Sequence, residues 1–118
     1  MFNKNLPKIE FIVERIQFIE KIIDRHKYVT KALLDEIEAK PAILMHLSQI
    51  GEEINKIDNE ILEKLNLLED AKGAYNVRNF IVHAYEGINL ALIEKIIKEK
   101  LPILKEKFKR YLDENNKL

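Results

Sequence analysis

The sequence predicts an all-α domain, an antiparallel bundle of four to five helices, and three observations carry that expectation. Leu, Ile, Glu and Lys dominate the 118 residues, while Gly and Pro number only three each; this composition favours helices over turns. Apolar side chains recur at three- and four-residue steps, the period of one helical face. Four such amphipathic stretches follow one another without an internal repeat or a Gly-rich phosphate loop, and packing their apolar faces together gives a bundle.

Taken in order, Ile9, Ile12, Val13, Ile16, Ile19 and Ile23 form a stripe opposite Glu10, Glu14, Lys21, Asp24 and Arg25. Pro7 suits a first turn, so a helix is expected over about 7–27. Val29 to Glu38 reads as a short helical piece capped by Thr30. A second long helix is expected after Pro41, with Ile43, Leu44, Leu47, Ile50, Ile54 and Ile57 on one stripe. Asp58 to Leu68 reads as a connection with some helical content. A third helix, about 69–85, is expected to stop near Gly87 in a left-handed conformation. Asn89 is placed to cap a fourth, carrying Leu92, Ile93, Ile96, Ile97, Leu101, Leu104, Phe108 and Leu112 and kinked or interrupted at Pro102.

The length fits one domain over residues 1–118, large enough to bury roughly two-thirds of its unfolded surface. No cysteine is present, which rules out disulfides, thiolate metal sites and a Cys nucleophile. Met1 to Lys8 holds two lysines and a proline with no apolar run of signal-peptide length behind it. No stretch approaches the ~20 apolar residues that span a bilayer, so a soluble cytoplasmic protein without a membrane partner is expected. The 20 basic and 20 acidic side chains cancel to zero, which argues against coating of nucleic acid through bulk charge. The charge is uneven, however. Residues 1–34 hold seven basic and four acidic groups, residues 35–70 three and ten, residues 71–86 two and one, and residues 87–118 eight and five. These charges either solvate the outer faces of helices or, where folding brings the net-positive segments 1–34, 71–86 and 87–118 to one face, form a local basic groove that meets an anion.

The segment Arg78-Asn79-Phe80-Ile81-Val82-His83-Ala84-Tyr85 stands apart. On an ideal helix, turning about 100° per residue, Val77, Phe80, Ile81 and Ala84 fall in one arc of about 100°, the expected buried stripe. Arg78, Asn79, His83 and Tyr85 lie on the other side. A guanidinium presents a planar fork of donors matched to phosphate oxygens, and an imidazole can take or give a proton near neutral pH. Together they suit cleavage of an RNA phosphodiester, a base removing the 2′-hydroxyl proton and a cation steadying the charged transition state. Five residues leave Arg78 and His83 about 140° apart on one helix, so two such helices across a two-fold axis would bring both pairs to one cleft. The same residues also admit a structural reading, in which Arg78 pairs with an acid of residues 35–70 and His83 caps its helix. His26 lies where an imidazolium complements a helix C-terminus, and His46 lies one residue from an apolar stripe. The three histidines lack helical metal-ligand spacing, so neither a metal nor a cofactor is expected.

Arg78, Asn79, His83 and Tyr85 match the Arg-Asn-x-x-x-His-x-Tyr pattern of HEPN domains, and the chain resembles the HepT-like toxins among them. Ile50-Gly51-Glu52-Glu53 is similar to the family's Ile-Gly-Glu-Ala element and Leu101-Pro102-Ile103-Leu104 to its Leu-Pro-x-Leu element. The resemblance covers about residues 8–112. It implies a HEPN-like dimeric bundle and a metal-independent endoribonuclease toxin acting on RNA, with Arg78 and His83 from both subunits in one cleft. It implies that Arg78 holds the scissile phosphate, His83 transfers protons and Asn79 orients one of them. It further implies a minimal nucleotidyltransferase antitoxin as partner, which transfers AMP to Tyr85 and so blocks the cleft. The alternative implied by other HEPN domains is a non-catalytic accessory subunit that binds substrate or nucleotide for such a transferase. The sequence departs from the pattern at Ala84, where Gly is usual, at Val77, where Met is usual, at Glu53, where a small residue is usual, and in having no Trp.

Overall fold

Residues 3–115 are described by a computed structural model, and every ordered segment among them is helical. The expected ends at Met1, Phe2 and residues 116–118 lie outside the described residues. Helix α1 spans Asn5–His26 and places Pro7 in its first turn, where a missing N–H costs nothing. Ile12, Ile16 and Ile19 on its inner stripe are wholly buried, each worth about 1.5–3 kcal/mol relative to exposure. It stops at Lys27, whose positive φ of 78° turns the chain. Helix α2 (Val29–Leu33) follows. Thr30 does not cap it: Tyr28 occupies the cap position without a side-chain bond, and the Thr30 hydroxyl donates instead to the Glu94 carboxylate.

Helix α3 (Ala39–Ile54) begins two residues before Pro41, earlier than the periodicity suggests. The Asp35 carboxylate makes that start possible by accepting the N–H groups of Ile37, Glu38 and Ala39, each at 3.2 Å. Helix α4 (Asn59–Lys64) and a left-handed Asn66 lead into α5 (Leu68–His83). Asn5, the one buried polar residue among the described residues, locks the α3–α4 connection: its side chain donates to Asp58 at 3.1 Å and accepts the Asp58 N–H at 3.1 Å.

After α5 the chain makes a 3-10 turn at Tyr85–Gly87. Gly87 does not adopt a left-handed conformation, and α5 ends two residues earlier than expected, at His83. Asn89 caps α6 (Leu90–Lys95) as anticipated, accepting the Leu92 N–H at 3.2 Å. The helix then widens through one π-turn at Ile96–Lys100 and continues as α7, Leu101–Asn115. Pro102 accounts for the widening, since it removes one donor from the ladder and its ring crowds the preceding turn.

Helix α3 lies in the middle of a layer, packing on α1 along one flank and on α5 along the other, while α7 packs on α1. Ile43, Leu44 and Ile50 of α3 and Phe108 of α7 close the core against α1. This is the expected all-α HEPN-like bundle. Among the described residues no helix is long and apolar enough to cross a membrane.

Candidate functional site

The approach of α5 to α3 fixes the site. A Cβ on Gly51 would lie 2.5 Å from the Ala74 carbonyl oxygen and 2.7 Å from the Arg78 Cβ, so only glycine permits this crossing. Glu52, the next residue, then reaches Arg78: its Oε2 lies 3.0 Å from Nε. Arg78 Nη1 donates to Asn79 Oδ1 at 3.0 Å, and the guanidinium stands 5.8 Å from the Tyr75 ring centre. A guanidinium carries five N–H donors. Two are held by Glu52 and Asn79, leaving three for a phosphate.

Asn79 extends the arrangement toward the end of α5. With Asn76, Phe80, Ala84 and His83 it lines an open cleft of about 460 Å³. Arg78, Asn79 and His83 therefore form a connected row on α5, with Asn79 as the link. Tyr85 follows on the 3-10 turn beyond the end of α5. Ala84, at φ −141° and ψ 41°, leaves the helix, so the angular position assigned to Tyr85 on an extended α5 does not apply. Tyr85 is 40% exposed on the 3-10 turn, and the Lys40 ammonium at the start of α3 stands 5.9 Å from its ring centre.

The expected apolar stripe of α5 is only half covered. Ile81 is buried, but Phe80 is 62% exposed and Ala84 is exposed too. The α6–α7 helix leaves this end of α5 open, and Val77, Phe80, Ile81 and Ala84 instead face Ile88 and Leu92 across an apolar cleft of about 200 Å³. The net-positive helices do not gather around Arg78 within one chain either, because α3 separates α1 from α5. Among the described residues no three His, Asp or Glu side chains are grouped as metal ligands.

Two partners in the site were not singled out from sequence. Glu52 was legible as part of a motif and as one of the acids available to Arg78; the glycine before it was the signal that α5 comes close. Lys40 gave no signal, since its place beside Tyr85 depends on the α2–α3 corner. Glu53, the departure from the expected small residue, reaches Lys56 at 3.8 Å and leaves α3 intact.

Comparison with known proteins identifies the family. The family profile described as "Ribonuclease HepT-like" matches residues 12–111. A Methanocaldococcus jannaschii protein named "Putative RNase MJ1380" is 30% identical over 86 residues, 73% of each chain. A Thermococcus cleftensis protein named "Probable ribonuclease HepT" is 28% identical over 102 residues, 86% of this chain and 90% of that one. A second Methanocaldococcus jannaschii protein, "Gamma-glutamylcyclotransferase and putative RNase MJ0434", is 26% identical over 112 residues, and the match spans 48% of its length. No solved structure matches at a comparable level of significance.

Proposed function

The chain belongs to the HepT-like ribonuclease family, and on that premise we propose that it is a metal-independent endoribonuclease toxin whose active site is completed by a second copy of itself. The observation that carries this reading is the row Arg78, Asn79, His83, in which Glu52 and Asn79 orient the guanidinium and leave three N–H groups free. In this reading Arg78 binds the scissile phosphate and His83 removes the 2′-hydroxyl proton. The 2′-oxygen attacks phosphorus, and the 5′-oxygen leaves with a proton returned by an imidazole. Asn79 keeps Arg78 in register with the His83 cleft. The exposed apolar end of α5, with Phe80 and Leu92 uncovered, supports a homodimer, because an apolar patch of this kind favours a protein contact.

The partner in this reading is a minimal nucleotidyltransferase antitoxin. The Tyr85 oxygen attacks the α-phosphorus of ATP, pyrophosphate leaves, and the phenolic proton is lost. Exposure of Tyr85 and the ammonium of Lys40 near its ring support it as acceptor.

The decisive experiment is RNA cleavage with chelator present. Arg78→Ala and His83→Ala, both on an intact bundle, should each abolish cutting; cleavage by both variants refutes the assignment. Solution mass should give a dimer. Co-expression with the transferase should add AMP to the protein and not to Tyr85→Phe. The ion pair of Arg78 with Glu52 favours one second reading, a non-catalytic partner of the transferase, and clean protein that binds the transferase but leaves RNA whole would establish it.

A further inference from the structure

On the far side of α3 from Arg78, the α1–α3 seam holds a cluster that the proposed chemistry does not use. Phe11, Arg15 and Phe18 share one stripe of α1, and the Arg15 guanidinium sits 4.5 Å from the Phe11 ring centre and 4.9 Å from that of Phe18. The His46 ring of α3 packs on Phe18 at 5.5 Å, tilted by 52°. Beside them opens a cleft of about 520 Å³ lined by Phe18, Lys21, Ile22, Asp24, Arg25 and His46. That volume lies within the range of small-ligand sites, about 300–1,000 Å³.

Two features make this more than a packing seam. Among the described residues, the only buried side-chain polar atoms without a hydrogen-bond partner are Arg15 Nε and His46 Nδ1, and both residues touch Phe18. Buried polar groups are almost always paired, so two orphans on one seam call for an explanation. Lys21 and Arg25, one turn apart on α1 beside the cleft, make no ion pair among the described residues. Burial, and then the nearby Arg15 charge, hold the His46 imidazole below its ordinary pKa. It remains a neutral aromatic surface.

The cleft also lies on the same face of the layer as the Arg78 row. Arg15 Nη1 donates to Gln49 at 3.5 Å, and Gln49 neighbours Glu52, one helical turn on, which holds Arg78. Met45, 61% exposed, stands on α3 on this face. A strand crossing α3 can touch both sides.

We infer that the α1–α3 cleft is a second RNA subsite, in which Phe18 and His46 stack a base and Lys21 and Arg25 hold a phosphate of a nucleotide flanking the cleaved bond. Aromatic surfaces beside unpaired cations are the recurring means of holding single strands. The inference rests on the ribonuclease reading above and adds a substrate class to it: a single strand long enough to span α3. An anionic lipid surface would use the cations but has no need of stacked rings.

The test measures affinity for a labelled single-stranded 12-nucleotide RNA, in dimeric His83→Ala protein so that nothing is cut, across a range of salt. In that background K21A/R25A changes two exposed side chains and leaves the fold in place. Losing two phosphate contacts should raise Kd about tenfold near 0.15 M salt and flatten the slope of log K against log salt by about 1.4. Phe18→Leu keeps apolar packing but removes a stacking face, and should weaken binding about fivefold or more without changing the salt slope. Equal Kd and slope in K21A/R25A, with RNA bound well by the parent, overturns the subsite while leaving the ribonuclease reading intact. RNA left unbound by the parent overturns both. Loss of binding to vesicles of anionic lipid in K21A/R25A, with RNA affinity unchanged, overturns the inference in favour of a membrane contact.

Discussion

Replacing Gly51 by alanine tests the idea that one glycine sets the geometry of the whole site. The added Cβ would fall 2.5 Å from the Ala74 carbonyl oxygen and 2.7 Å from the Arg78 Cβ, about 0.9 and 0.7 Å short of the 3.4 Å at which ordinary contact begins. Neither obstacle is the end of a flexible side chain, so α5 itself must move. A displacement of about 0.7 Å would stretch the 3.0 Å Glu52–Arg78 contact to about 3.7 Å, beyond a hydrogen bond. Alanine is better than glycine inside a helix by about 1 kcal/mol, whereas overpacking costs about 1–3 kcal/mol. Against the helix gain the net loss is up to about 2 kcal/mol in urea unfolding, and RNA cleavage should fall through misplacement of Arg78. Gly73→Ala is the control. Gly73 lies in α5 with nothing within 4 Å of an added Cβ, so the same exchange should gain up to about 1 kcal/mol. Gly51→Ala protein at least as stable as the parent would refute the close-approach argument.

Three other outcomes follow from contacts elsewhere. Glu52→Gln should lower kcat without weakening RNA affinity, because it loosens the orientation of Arg78 while removing a negative charge; in steady-state kinetics, an unchanged kcat would show that Glu52 orients nothing. Asn89→Ala should cost about 1 kcal/mol through loss of the cap on the Leu92 N–H, read as a shift in the urea midpoint. His26 should make stability depend on pH. Its Nδ1 faces the Ile22 carbonyl at 2.9 Å and its Nε2 the Asp35 carboxylate at 3.0 Å, two acceptors that require both nitrogens to carry protons. The Ile22 bond first, and then Asp35, raise its pKa against burial and the Arg25 charge. The contribution of His26 is therefore complete below about pH 6.5 and lost as pH rises through the elevated folded value. Asp35 behaves oppositely: the Glu38 N–H and then His26 lower its pKa, so its contribution disappears as pH falls through that depressed value. Midpoints of the parent and His26→Gln should differ most at mildly acidic pH and converge in alkaline solution; a constant difference from about pH 5 to 9 would refute the imidazolium. His46 has the reverse sign, since its lowered pKa makes the folded state lose stability as pH falls below about 6.5.

How much of this was legible in the sequence depends on whether the information was local. The α1 stripe and the Asn89 cap were, because a repeating apolar face and a side chain three residues from an N–H are properties of a single segment. The end of α5 was not. Ala84 favours helix, yet the backbone leaves the helix there, and Tyr85 moves from the wheel position beside Arg78 to the neighbourhood of Lys40. That outcome depends on how the Tyr85–Gly87 turn meets α3, and nothing within the segment encodes it. The exposed Phe80 has a similar origin. Its period correctly marks an apolar stripe, but period does not specify whether the cover comes from the same chain.

The zero net charge takes its meaning from the same distinction. The acidic surplus lies in residues 35–70, and α3 carries part of it into the centre of the layer, where Glu52 pairs with Arg78. An acid beside the Arg78 guanidinium weakens bulk attraction for an anion, yet it holds the planar fork in one orientation, and orientation governs a transition state more than affinity does. On the proposed reading, binding strength comes from elsewhere on the face, where Lys21 and Arg25 lie across α3. On the two proposals together, holding RNA and positioning its phosphate fall to different parts of the face. Charge removed at Lys21 and Arg25 should accordingly act through KM, and charge removed at Glu52 through kcat.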